Sequence, residues 1–226
     1  MQTKIIYEDA QLLIVHKPAG LATQTSRVGQ EDVVSELKKY LSGKGKGAPY
    51  LGVVHRLDQP VEGLLAFAKT REAAAALTKQ LAQGSLHKEY HALVCAEHLP
   101  EEGRLENYLV KEDNRARVAD EREPDAKKAV LCYRLLRERE QPGVGLLGLY
   151  EISLETGRFH QIRVQMSHAG LPLAADWKYG DQRSEKAARQ LGLKNAALCA
   201  CRIALVHPVN RKKLDFAVEA PFLQYL

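Results

Sequence analysis

The segment VVHRLDQPVEGLLAFAKT, residues 53–70, places an arginine and an aspartate two positions apart between apolar runs. Side chains alternate along an extended chain, so Arg56 and Asp58 share one side. Such a pair is either a structural brace, or one of its charges faces a cleft and works there. Two further segments hold charge in apolar surroundings: Lys88-Glu89-Tyr90, and Thr156-Gly157-Arg158-Phe159-His160-Gln161-Ile162-Arg163. In the latter a strand ends in Thr-Gly and a helix begins. Arg163 then lies one turn into the helix, on the side of Phe159. A buried arginine needs a carboxylate, and Asp58 is one candidate. Read from residues alone, bracing and catalysis both stay open.

Several chemistries are absent from the pattern. His160 and His168 are eight apart and no HExxH occurs, which argues against a metal centre. No Gly-x-Ser-x-Gly elbow supports a serine hydrolase. SGKGKG, at 42–47, is a basic loop without the Gly-Lys-Ser/Thr that opens a phosphate-binding helix. Cys199 and Cys201 form a C-x-C with no second pair, a poor zinc signature, and all four cysteines suit buried free thiols in a reducing compartment.

The elements that must position these groups are legible in the spacing. KIIYEDAQLLIVH, residues 4–16, reads as two strands around an acidic turn, broken by Lys17-Pro18-Ala19-Gly20. Helices are predicted over 33–41, over 71–83 with Thr70 as cap and Gly84 as stop, over 159–169 ended by Gly170, and over 184–192. The third is expected to carry Phe159, Ile162 and Met166 along one stripe. Strands are predicted at 63–69, 88–95, 129–136 and 146–154, the last two joined by Pro142-Gly143, and a closing hairpin spans 197–220. Gly63 reads as a strand-entry glycine. Residues 111–128 hold six basic and six acidic residues, so the signs cancel and a solvated loop or hairpin is expected. Strands in hairpin succession with few helices between them indicate an α+β fold with a mixed, largely antiparallel sheet. With 226 residues and no composition shift, one catalytic domain is expected, built of two closely packed halves at most.

The net charge of +5 and pI near 8.9 are compatible with a polyanionic partner without identifying one. The apolar runs are too short to span a bilayer, and the acidic residues of MQTKIIYEDAQ do not suit a signal peptide, so a cytoplasmic protein is expected. No heptad or interface stripe is evident, which favours a monomer.

Taken in order, these motifs resemble the RluA family of RNA pseudouridine synthases over nearly the whole chain. The matching pieces are IIYEDAQLLIVHKPAGL, HRLD with Gly63-Leu64-Leu65 and Ala68-Lys69-Thr70, KEYHALV, TGRFHQIRVQMSHAGLPLAADWKYG, and LCACRIALVHP. The family usually has Thr-Ser where Val61-Glu62 stand, glycine where Ala175 stands and histidine where Cys199 stands. The family's N-terminal S4-type RNA-binding module is not expected, because residue 4 already begins the core.

The resemblance implies the pseudouridine synthase fold around a central cleft. It also implies isomerisation of a uridine in structured ribosomal or transfer RNA to pseudouridine, with no cofactor and no metal. Asp58 matches the catalytic aspartate, which acts on the sugar or on the base. Tyr90 matches the tyrosine that stacks on the target ring, and Arg163 the arginine that supplies counter-charge. Arg56 matches the residue that fills the space left by the flipped base. The RNA-contacting set is completed by His55, Arg158, His160 and Leu198, and Lys44, Lys46, Arg211, Lys212 and Lys213 are candidate phosphate contacts. Two other functions stand beside this one: an inactive protein of the same fold that folds RNA, and a hydrolase using Asp58 with His55.

Overall fold

In a computed structural model, residues 1–25, 27, 29–43 and 48–226 are described. In chain order the elements are β1 (Lys4–Glu8), β2 (Leu12–Lys17), α1 (Val33–Ser42), β3 (Gly52–Val53), β4 (Glu62–Ala68), α2 (Arg71–Ala82), β5 (His87–Ala96) and β6 (Glu102–Glu112). Next come β7 (Arg115–Ala119), β8 (Lys127–Gln141), β9 (Gly145–Leu154), α3 (Gln161–His168), α4 (Gln182–Leu191), β10 (Leu198–Val206), β11 (Lys213–Ala217) and a final 3₁₀ turn, Pro221–Tyr225. The chain divides into two compact units, one of residues 1–88 with 199–218, the other of 89–198 with 219–226.

The first unit is a mixed sheet. Asp9 tightens the β1–β2 turn by accepting the N–H groups of Gln11 and Leu12, both at 2.7 Å. β2 runs antiparallel to β4, from Leu12 opposite Ala68 to Lys17 opposite Gly63, and β10 joins the other side of β4 in parallel. Residues 63–68 of β4 are all buried, so both faces of the strand are covered, which explains why EGLLAFA reads as a continuous apolar run instead of alternating. β11 pairs antiparallel with β10. α1 and α2 start at Asp32 and Thr70, whose side chains accept N–H groups of the first turn. Leu12, Ile14, Leu64, Ala66, Leu77 and Ile203 belong to the shared apolar core.

Gly63 does more than open a strand. Its φ is +120°, and an added Cβ would lie 2.5 Å from both the nitrogen and the oxygen of Ala200. The parallel strand approaches so closely that no side chain fits. A sequence cannot show that approach, because its two sides are more than a hundred residues apart.

The second unit is antiparallel throughout its strand pairs, in the order β5-β9-β8-β6-β7. The charged stretch at 111–128 proves to be a hairpin: β6 continues to Glu112 and returns as β7. Arg117 there bridges Glu112 and Glu123, one of several ion pairs through which its opposite charges meet. α3 differs from expectation. It starts at Gln161, two residues late, because His160 takes the left-handed conformation (φ 55°) and Phe159 stacks on the His160 ring at 3.7 Å. Nor is α3 amphipathic, for residues 161 to 166 are all buried. The amide nitrogens of its glutamines bond strand backbone: Gln161 donates to the Val130 carbonyl at 3.0 Å, and Gln165 to those of Leu105 and Ala129, both at 3.2 Å. α4 begins with a capping box between Asp181 and Ser184 and ends at Gly192 in the left-handed region.

Candidate active site

Asp58 sits in the loop between β3 and β4, and the residues on either side of it are both tied down. Thr23 Oγ1 donates to the Leu57 carbonyl at 2.8 Å and accepts the Leu57 N–H at 3.2 Å. On the other side, the Gln59 carbonyl accepts from Gly20 N at 2.8 Å and from Lys17 Nζ at 3.1 Å. The Gln59 side chain returns a bond to the Gly20 carbonyl at 3.0 Å. Segment 17–23 therefore grips the loop at both neighbours of Asp58 and leaves the aspartate partly open to solvent. Around it the chain alternates as its extended pattern requires: His55 and Leu57 are buried, Arg56 is exposed.

Lys17 is the unexpected member of this unit. It is 0% exposed, and its ammonium also donates to the carbonyls of Pro18 at 3.0 Å and Leu21 at 2.6 Å. Burial pulls its pKa down to about 7, against the opposing pull of Asp58 and Glu62. Glu62, one of the departures from the family pattern, is partly buried, and burial raises its pKa while Lys17 lowers it. Its register partner on β10 is Cys199, a second departure, whose thiol is pushed up by burial and by Glu62. The sequence did carry a signal for Lys17: a lysine that ends the strand LLIVHK, directly before proline.

His55 departs from its expected part as an RNA contact. It is 8% exposed, and its Nε2 accepts the Ala66 N–H at 3.2 Å, so the ring braces β4 from inside the unit. Burial, then Lys88, pushes its pKa down to about 3, which keeps it neutral. A neutral, enclosed ring has neither the charge nor the surface to grip a phosphate.

In the second unit, Arg163 occupies the first turn of α3. Its Nε and Nη2 fork onto Asp176, each at 2.7 Å, with side chains 4% and 1% exposed. The sequence reading did not name this carboxylate, although an aspartate closing the apolar run LPLAA was the available signal. Asp176 Oδ1 also accepts the backbone N–H groups of Lys178 and Tyr179 at 3.1 and 3.2 Å. The turn is thereby folded around the arginine. Tyr179 completes it. Its ring lies 5.0 Å from the Arg163 guanidinium, and its hydroxyl accepts from Ala116 N at 2.8 Å and shares a hydrogen bond with His160 Nδ1 at 2.6 Å. Ala175, where the family pattern has glycine, stands at φ 58° and carries the cost of a left-handed alanine, about 1–2 kcal/mol.

The remaining expected residues fall as follows. Tyr90 lies on β5 opposite Ile152 and is 5% exposed. Arg158 is exposed, with Nε donating to the Lys128 carbonyl at 2.8 Å. Leu198 is buried. Arg211, Lys212 and Lys213 are exposed at the turn between β10 and β11, and Lys44 and Lys46 lie outside the described residues. Cys95, Cys132 and Cys199 carry free thiols. Among the described residues, no three His, Cys, Asp or Glu side chains are grouped as metal ligands, and no helix is long and apolar enough to cross a membrane.

Comparison with known proteins agrees with this geometry. Residues 11–168 match the family model described as RNA pseudouridylate synthase. The chain is 35% identical to ribosomal large subunit pseudouridine synthase D of Zymomonas mobilis, covering 96% of this chain and 69% of that one. It is 33% identical to synthase C of Vibrio cholerae, covering 98% and 66%. The chain thus spans about two thirds of the length of these curated relatives. In structure it is similar to human RNA pseudouridylate synthase domain containing 1, with a TM-score of 0.78, 18% identity, and coverage of 99% of this chain and 86% of that one. The corresponding protein numbered 4 gives a TM-score of 0.75 at 24% identity, covering 97% and 89%. The fold is thus that of the pseudouridylate synthase domains. The chain belongs to the RNA pseudouridylate synthase family, in the RluA branch that its motifs resemble.

Proposed function

We propose that this chain isomerises a uridine of large-subunit ribosomal RNA to pseudouridine, with Asp58 as the nucleophile. The observation that carries the reading is the grip on Leu57 and Gln59, which fixes the loop while leaving the Asp58 carboxylate partly in solvent. A carboxylate that must meet the same atom in every cycle gains from being oriented before substrate arrives. The relatives named for the large ribosomal subunit support the choice of RNA. Asp58 adds to the ribose or to the ring. The bond from the sugar to N1 breaks, the base turns and rejoins the sugar through carbon 5, and the bond to Asp58 is released; carbon 5 loses a proton as N1 gains one, so no redox partner or phosphate donor enters the balance.

In this reading Tyr90 stacks on the target ring, and Arg163, oriented by Asp176 and Tyr179, supplies positive charge to the reaction. Arg56 is exposed next to the nucleophile loop, and its planar guanidinium suits the space that a flipped base vacates. Arg158 and His160, at the start of α3, contact the RNA. The enzyme acts as a cytoplasmic monomer. The free thiols of Cys95, Cys132 and Cys199 suit a reducing compartment, and the described residues expose few large apolar side chains.

The test is Asp58→Asn, measured as tritium release from RNA labelled at carbon 5 of uridine. The variant is expected to bind RNA as wild type does and to release no label. Wild-type turnover in the variant would remove Asp58 from the mechanism.

A further inference from the structure

The second unit displays one large aromatic that neither its core nor the reaction uses. Trp177 follows Asp176, the residue that forks Arg163, and it is 53% exposed. It is the protein's single tryptophan. Its indole Nε1 donates to the Lys194 carbonyl at 2.9 Å, which pins one ring edge and satisfies the only polar atom of the side chain. An indole pinned by its edge, with about half its surface in water, offers a ring face at little further cost in rotational freedom.

Basic residues adjoin it. Lys194 is exposed where the indole is pinned. The next residue, Lys178, reaches the Asn114 carbonyl at 2.6 Å. Arg115, beside Asn114, lies 6.0 Å over the ring of Tyr179. Aromatic faces interleaved with lysine and arginine are how proteins hold unpaired nucleotides, the rings taking bases and the cations taking phosphates.

We propose that Trp177 is a binding residue that stacks on an unpaired nucleobase of the RNA substrate. The inference rests on the reading of this chain as an RNA-modifying enzyme and adds a contact that the reading does not contain. The stacked base is distinct from the target uridine, whose ring the reading assigns to Tyr90.

The sole tryptophan makes the test direct. Asp58→Asn protein, which binds without turning over, is titrated with fragmented large-subunit ribosomal RNA while indole emission is followed. Stacking is expected to quench the emission in step with binding measured independently by filter retention. Trp177→Ala, in the otherwise native enzyme, should bind the same RNA roughly tenfold or more weakly. Its loss should appear in KM, with kcat at saturating RNA close to wild type. Trp177→Phe keeps a ring but loses the bond to Lys194, and should recover part of the affinity. A role limited to packing predicts no such graded recovery. Unchanged emission during binding, or an alanine variant that binds as wild type does, overturns the inference while label release by wild type leaves the enzymatic reading standing. Absence of both RNA binding and label release would overturn the two together.

Discussion

Replacing Lys17 by methionine probes how the loop bearing Asp58 is held. The substitution keeps most of the side chain's length and removes its charge and its three N–H donors. In the wild type this ammonium is fully buried, with a pKa lowered from 10.5 to about 7. The folded pKa lies below the unfolded one, so between these values the unfolded chain holds more protons, and the stability linked to Lys17 rises with pH across that interval. At pH 6 the buried charge costs about 5 kcal/mol, from roughly 3.5 pH units at 1.36 kcal/mol each. By pH 9 about 3 kcal/mol of this is recovered. The methionine variant has no such charge. Urea unfolding of both proteins at pH 6 and pH 9, taken as the difference between them, cancels the titrating groups that do not interact with Lys17. The wild type is expected to gain about 3 kcal/mol on the variant over this range. Parallel pH dependences would refute the reasoning.

At pH 6 the two proteins should be of similar stability. Removing the buried charge is offset by the carbonyls of Pro18 and Leu21 left without a donor, each costing about 1–3 kcal/mol, while the Gln59 carbonyl keeps the Gly20 N–H. Activity should separate them. The Gln59 carbonyl loses its tether to Nζ, and kcat is expected to fall at least about tenfold, as misplaced reacting groups do.

Glu62→Ser restores the residue usual in the family and removes one of the two carboxylates that hold Lys17 charged. The pH-dependent gain in urea stability should then begin lower and grow larger than in wild type. Arg163→Ala leaves Asp176 buried without its cation and should destabilise by about 3–5 kcal/mol, with Asp176→Asn in the same background recovering part of the loss in urea unfolding. Gly63→Ala forces a Cβ onto the Ala200 backbone at a positive φ, and should cost about 3 kcal/mol or more in a thermal unfolding measurement.

Much of this arrangement can be read from the chain because it is local. Caps at Thr70 and Gly192, the Pro142-Gly143 turn and the alternation around HRLD each depend on neighbours within a few residues. The start of α3 was misread because a left-handed histidine is stabilised by Tyr179, nineteen positions on, and not by any capping residue beside it. Asp176 and Lys17 stayed hidden for a related reason. Their importance lies in what burial does to a charge, and the partners that relieve it come from turns whose shape no periodicity records. His55 misled in the opposite direction: a histidine next to a proposed nucleophile looks functional until its ring is found accepting a strand N–H.

The division of the chain also bears on how the protein is made. The unit that carries Asp58 is written in two instalments, residues 1–88 and 199–218, with most of the other unit spelled out between them. As the chain leaves the ribosome, β4 waits for its parallel neighbour until β10 has been translated, and such distant pairings form slowly. The glycine against which that neighbour closes thus marks a late step, and a chain stopped before residue 199 would carry Asp58 on an unfinished sheet.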